Sequence, residues 1–234
     1  MYFLTGKVVR LIIGLDNLSG KKPNYDHNYC LASAFLNQLR SLDPELSETL
    51  HDMKTTAPYV LSEIYSIKGV AWKHYFCIAT SSAALVTHIE RAFRPGSELI
   101  IGDVRLGIAD IRKEIIFDEM PSPLEVTTLS PVLVREVSNH GRCTIPKDPN
   151  YIDELNKLIS AKINKFVGEN DHCLVIRVEA QDIRRRHISN GVVLATKGKF
   201  YLEGTPKALK FILEHGLGAN PSMGFGFVVP SGGW

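Results

Sequence analysis

The sequence predicts an α+β protein built from two consecutive β-α-β-β-α-β units, tandem ferredoxin-like folds closed by a carboxy-terminal glycine-rich loop. Three observations carry that prediction. Apolar residues switch between strand and helix periodicity in the same order twice over. Pro121, Ser122 and Pro123 punctuate the chain between the two rounds as a linker would. The last stretch of any complexity, GLGANPSMGFGFV at Gly216–Val228, follows a helix-like segment and ends in an apolar run. The expected division is 1–122 and 123–234.

In the first unit, Tyr2 to Leu15 alternates and then saturates with apolar residues, the pattern of a strand. Asp16 to Asp26 is a polar loop. A helix follows from about Asn28, with Leu31, Ala34, Phe35, Leu39 and Leu42 on one face. Asp43-Pro44-Glu45 restarts a short helix, with Asp43 as N-cap and Leu46, Leu50 and Met53 as its buried stripe. Strands are expected at Tyr59–Ile67 and Trp72–Thr80, joined by a turn at Lys68-Gly69. Ser81 or Ser82 caps the next helix, Pro95-Gly96 ends it, and Glu98 to Phe117 is strand again. In the second unit Val126–Val137 reads as a strand, and Asp148-Pro149 opens a long helix carrying Ile152, Leu155, Ile159, Ile163 and Phe166. Leu174–Glu179 and Val192–Leu202 are strands, Thr205-Pro206 caps a helix through His215, and Phe225–Val229 closes the set.

Composition narrows the function. The chain has 234 residues, is 44% hydrophobic and 22% charged, and carries a net charge of +2. No run approaches the roughly 18 apolar residues of a membrane span. The opening residues lack a small-residue cleavage pattern, and Cys30, Cys77, Cys143 and Cys173 form no ligand pair, so a cytoplasmic protein with reduced thiols is expected. Residues 1–122 hold 13 Lys+Arg against 14 Asp+Glu, the remainder 14 against 11, which puts any anionic partner on the second half.

No histidine pair or Cys cluster has metal-ligand spacing, no P-loop is present, and no cofactor is called for. Only one His-x-Ser tripeptide occurs, His187-Ile188-Ser189, which disfavours a two-histidine phosphoesterase. Three features remain, each with two readings. His51 and Lys54, at the end of the short helix, suit proton transfer and charge stabilisation at a phosphate, or simply supply cations to a helix C-terminus. Arg184, Arg185 and Arg186 grip phosphates or decorate a solvated turn. Gly216, Gly218, Gly224 and Gly226 either let a loop aim N–H groups at an anion or serve a helix C-cap and a bulged strand.

Several stretches resemble the CRISPR-associated endoribonuclease that processes precursor CRISPR RNA, the Cas six family of the RAMP superfamily. They are YDHNYCLASAFLNQL at Tyr25–Leu39, LHDMK at Leu50–Lys54, TLSPVLV at Thr128–Val134 and KGKFYLEGTPKALKFILEHGLGANPSMGFGFV at Lys197–Val228. The resemblance implies metal-independent cleavage of repeat RNA by 2′-hydroxyl attack, leaving a 2′,3′-cyclic phosphate and a 5′-hydroxyl. It places His51 on the family's catalytic histidine and Lys54 where a basic residue assists. It places the glycine loop and the Arg184–Arg186 hairpin on the RNA. The family's tyrosine falls at Leu36, a departure for which Tyr29 or His27 is a substitute. Implied partners are CRISPR repeat RNA or crRNA and subunits of a Cas effector complex, with a monomeric or homodimeric protein and no membrane. The competing reading is a non-catalytic RAMP subunit that binds crRNA. An RRM-like binding protein fits less well, because neither half has an aromatic-rich central strand.

Overall fold

A computed structural model describes residues 8–24, 26–53, 57–67, 73–116, 120–136, 142–188 and 191–232. The first sheet grows from the most apolar stretch, β1 (Val8–Asn17). Successive side chains of a strand point to opposite faces. Leu11, Ile13 and Leu15 therefore enter a core with Phe35, Phe76 and Phe93, while Ile12 on the other face meets Val60, Cys77, Phe227 and Val229. Both faces are covered, which is why this strand saturates with apolar residues instead of alternating.

The helices α1 (Asn28–Arg40), α2 (Pro44–Asp52) and α3 (Ala83–Ala92) belong to the first core. The Asp43 carboxylate accepts from the Leu46 N–H at 2.9 Å to start α2, and Ser82, not Ser81, caps α3 through the Leu85 N–H at 3.2 Å. The strand expected over Tyr59–Ile67 is two pieces, β2 (Tyr59–Leu61) and β3 (Tyr65–Ser66), both paired with β4 (Lys73–Thr80). Between them the Ser62 hydroxyl takes the Cys77 N–H at 2.7 Å, which interrupts the ladder. The turn expected at Lys68-Gly69 lies outside the described residues. The single strand expected over Glu98–Phe117 is a hairpin, β5 (Glu98–Ile101) and β6 (Val104–Ile116), turning at Gly102 with φ 62°.

The second sheet starts with β7 (Leu124–Thr128), which ends earlier than expected because Ser130 and Pro131 leave the ladder. A small ribbon of β8 (Val134–Arg135) and β9 (Cys143–Thr144) precedes α4 (Tyr151–Phe166). Asp148 does not cap that helix; it accepts from the Ile145 N–H instead, and α4 begins three residues later. Then come β10 (Cys173–Ile188), β11 (Gly191–Gly204), α5 (Pro206–His215) and β12 (Val228–Pro230). Thr205 caps α5 through the Ala208 N–H at 3.3 Å. Leu155, Ile159, Ile163, Leu209 and Ile212 of the two helices pack with Val126, Phe200 and Leu202 of the sheet.

The sheets run β2-β4-β1-β6-β5 and β10-β11-β7-β12, antiparallel throughout. Without the extra hairpin strand β5, each has its first strand between its third and fourth, the order of a ferredoxin-like unit. The fold is thus a tandem of two such units. No helix among the described residues is long and apolar enough to cross a membrane.

Candidate functional site

The glycine segment lies between the two sheets, not on the surface. Gly216, Gly218, Gly224 and Gly226 are all buried and all have positive φ, from 73° to 83°. A Cβ on Gly226 would stand 1.9 Å from the Leu217 carbonyl oxygen, and one on Gly218 would stand 2.5 Å from that of Leu133. Several of the backbone donors are already engaged. The N–H of Gly216 bonds to Ile212, that of Leu217 to Gly226, that of Ala219 to Leu133, that of Gly224 to Pro221, and that of Gly226 to Pro131. The Phe227 N–H goes to the Ser130 hydroxyl at 2.8 Å. The engaged N–H groups of Gly216, Gly224 and Gly226 fit the local alternative read from the sequence, in which these glycines permit close packing and a left-handed path. Ala219, Asn220, Ser222 and Met223 form the partly exposed side of the segment.

The three arginines sit inside β10, where the two-residue period separates them. Arg185 is exposed. Arg184 lies 2.7 Å from the Asp182 carboxylate. Arg186 is turned inward with a side chain 2% exposed, which corrects its expected place on a phosphate. Its Nε donates to the Asn28 side chain at 3.2 Å and its Nη2 is ion-paired with Glu63. The other Glu63 oxygen receives Lys197 Nζ at 2.6 Å. Burial alone would raise the Glu63 pKa, but Lys197 and Arg186 outweigh it and hold the carboxyl below its ordinary value. Asn28 also donates to the Gly224 carbonyl, so one chain of contacts joins α1, the glycine segment and the β10–β11 hairpin.

His51 occupies the last turn of α2 with a side chain 64% exposed, and its Nδ1 is 3.7 Å from Asp52. The hairpin of α1 and α2 is pinned where the Ser47 hydroxyl donates to the Leu36 carbonyl at 2.9 Å. Lys54 lies outside the described residues. Leu36, at the family's tyrosine position, packs partly buried against the first core. Of the two substitutes, His27 is fully engaged: its Nδ1 meets the Asn24 carbonyl at 2.7 Å, and its Nε2 accepts the Ile64 N–H at 2.8 Å. Burial also lowers its pKa, so the ring is held neutral. Tyr29, on the first turn of α1, is 44% exposed.

A polar crevice of about 350 Å³ runs beneath the β10–β11 hairpin, lined by Lys22, Asn24, His74, Arg184 and Lys197 among others. His74 is 4% exposed; its Nδ1 is 3.0 Å from the Ser66 hydroxyl, and its Nε2 has no partner among the described residues. A second histidine, His215, ends α5. Its Nε2 is 3.0 Å from the Ser81 hydroxyl and its ring stacks on Phe211 at 4.3 Å. Burial, and then the nearby charge of Lys162, push its pKa down to about 4. Sequence reasoning missed Glu63, Asn28, Lys197 and His215, because each acquires its role from a partner far away along the chain, and His74, which meets Ser66 across the β3–β4 pair. No three His, Cys, Asp or Glu side chains among the described residues are grouped to hold a metal ion.

Residues 117–230 match the family described as CRISPR associated protein Cas6, C-terminal. The chain is 24% identical over 224 residues to a CRISPR-associated endoribonuclease Cas6 of Methanocaldococcus jannaschii, an alignment covering 88% of this chain and 86% of that one. A solved structure from Pyrococcus furiosus, described as a Cas6-related gene product, superposes with a TM-score of 0.81 at 21% identity, over 97% of this chain and 100% of the other. A structure described as a RAMP protein binding different RNA substrates gives 0.78 at 20% identity, over 95% and 99%. These two share the fold. Together with the profile match, they show that the second unit carries a Cas6 C-terminal domain and that the whole chain has the tandem ferredoxin-like fold of these structures.

Proposed function

We propose that the chain is an endoribonuclease that cuts CRISPR repeat RNA into crRNA without a metal ion. The observation that carries this reading is the exposed imidazole of His51, at the end of α2, in a chain whose second unit matches the Cas6 C-terminal family. The 2′-hydroxyl attacks the adjacent phosphorus, its proton leaves to a base, and the P–O5′ bond breaks as the leaving oxygen is protonated. The products are a 2′,3′-cyclic phosphate and a 5′-hydroxyl. His51 performs one of the two proton transfers, and the phenol of Tyr29 is the candidate for the other, because both His27 nitrogens are engaged. Lys54 stabilises charge on the phosphorane. Lys22 and Arg184 hold the RNA backbone along the crevice, and Arg185 meets it from the exposed face of β10. In this scheme residues 1–122 cut and residues 123–234 grip. The test is incubation with the labelled repeat RNA of the native array in EDTA: a cyclic-phosphate product that His51→Ala slows strongly supports the scheme, and undiminished cleavage by that variant removes His51 from it.

A second reading has its own observation. Leu36 replaces the family's tyrosine and is packed into the core, as a subunit that only binds crRNA within an effector complex would tolerate. Tight binding of the same RNA with no product would decide for it.

A further inference from the structure

We propose that the last two turns of α4 and the outward side of the glycine segment form a seat for one unpaired nucleotide. The base stacks on Phe166, the phosphate meets Lys165 and Lys162, and Asn220 reads the base edge. The proposal rests on RNA being the partner and goes beyond that reading by placing a subsite on a helix for which neither the sequence nor the family match assigns a role.

The cavity there is about 220 Å³, walled by Leu158, Ala161 and Phe166, with Lys162, Lys165 and Asn220 at its rim and no acidic side chain lining it. That is smaller than the roughly 300–1,000 Å³ of sites for drug-sized ligands. Phe166 is 42% exposed, yet its ring is held. It stacks on Phe211 with centroids 6.0 Å apart and planes 16° apart, and Phe211 stacks in turn on His215. A base added to Phe166 would extend an existing row of three rings. Lys165 Nζ lies over the Phe166 ring, 5.2 Å from its centroid, so an incoming base takes the place of this exposed ammonium on the ring while the side chain swings to the phosphate. Lys162 donates to the Gly218 carbonyl.

Asn220 adds an independent sign. It is the one non-glycine residue with positive φ among the described residues, at φ 55° and ψ 49°, and its side chain makes no capping bond. Asparagine adopts this left-handed region more readily than other non-glycine residues, so the conformation holds Asn220 at the cavity wall without strain. Its carboxamide both donates and accepts, as a base edge requires. Flat aromatic, cations and amide together are the chemistry by which unpaired RNA bases are held.

The experiment uses the full chain and a short single-stranded uridine-rich RNA carrying 5-iodouridine. Phe166→Leu keeps apolar bulk but removes the π face, and should weaken binding about 5- to 150-fold. Phe166→Tyr should restore it to within a few-fold, and the photocrosslink in the wild type should map to Phe166. Lys165→Gln, a change on the solvent side, should flatten the salt dependence without altering the melting temperature. Wild-type affinity in Phe166→Leu, failure of tyrosine to restore a loss, or crosslinks only elsewhere would overturn the seat while leaving RNA binding intact. A wild-type protein that binds neither this probe nor repeat RNA would overturn the RNA reading itself, and the seat with it.

Discussion

Arg186→Ala separates a strut from a phosphate contact. The guanidinium and the Glu63 carboxylate are both nearly excluded from solvent, at 2% and 8% side-chain exposure, and they join the β10–β11 hairpin to the first sheet. Removing the guanidinium leaves Glu63 with Lys197 as its remaining charged partner, so the cost is that of one lost charged hydrogen bond, about 1.5–3 kcal/mol. For a chain of this size each kcal/mol moves the melting temperature by about 2–4 °C, so a fall of about 3–12 °C is expected by calorimetry. Arg185→Ala, on the exposed face of the same strand, should stay within about 0.5 kcal/mol of wild type. Its effect belongs instead to RNA binding, where one lost phosphate contact lowers the slope of log affinity against log salt by about 0.7. Glu63→Gln combined with Arg186→Met should recover at most part of the stability lost by Arg186→Ala, since it leaves Lys197 without its carboxylate. Acid provides a further check. The folded Glu63 pKa is lowered, so its contribution is present above the unfolded carboxylate pKa and is lost as pH falls through the folded one; Glu63→Gln removes that acid-labile part. An Arg186→Ala protein with wild-type melting and a flattened salt slope would refute the strut and return this arginine to the RNA.

His51→Ala should slow repeat cleavage roughly 10²–10⁴-fold with little change in affinity, read from single-turnover rates and filter binding. His215 is held neutral in the fold with a pKa of about 4, while the unfolded chain titrates it near 6.5. The unfolded state therefore binds more protons between those values, stability rises with pH across that window, and His215→Gln should remove about 3 kcal/mol of that rise in urea titrations. Gly226→Ala would drive a Cβ into the Leu217 carbonyl and should abolish soluble folding, whereas Gly102→Ala, also at positive φ but facing open space, should cost only about 1 kcal/mol.

What could be read in advance follows the range of the interactions. The first strand and the caps at Asp43 and Thr205 are written in neighbouring residues, and each is found where the sequence puts it. The β5–β6 turn is also written locally, in the two-residue loop Gly102-Asp103, which divides the single strand expected over Glu98–Phe117. The two readings of the glycine segment differ only in whether its N–H groups face water or the Leu133 and Pro131 carbonyls, and those partners lie some ninety residues away. Arg186 illustrates the same limit. Strand period separates it from Arg185, but nothing near it in sequence announces Glu63 or Asn28.

The position of the glycine segment changes how the two halves relate. Gly224 lies against Asn28 at the first turn of α1, and a Cβ on Gly216 would come within 2.9 Å of Val60 in β2. The segment thus sets the height at which α1 rides over the second unit, and α1 carries α2 through the Ser47–Leu36 bond. A bulky residue at Gly224 would push on Asn28 before it reached any RNA, disturbing Arg186 and the α1–α2 hairpin together. Gly224→Ala should therefore impair His51-dependent cleavage and lower the melting temperature in step, with the salt slope of RNA binding unchanged. A variant that lost RNA affinity and kept both its melting temperature and its single-turnover rate at saturating RNA would show that the segment touches the substrate directly.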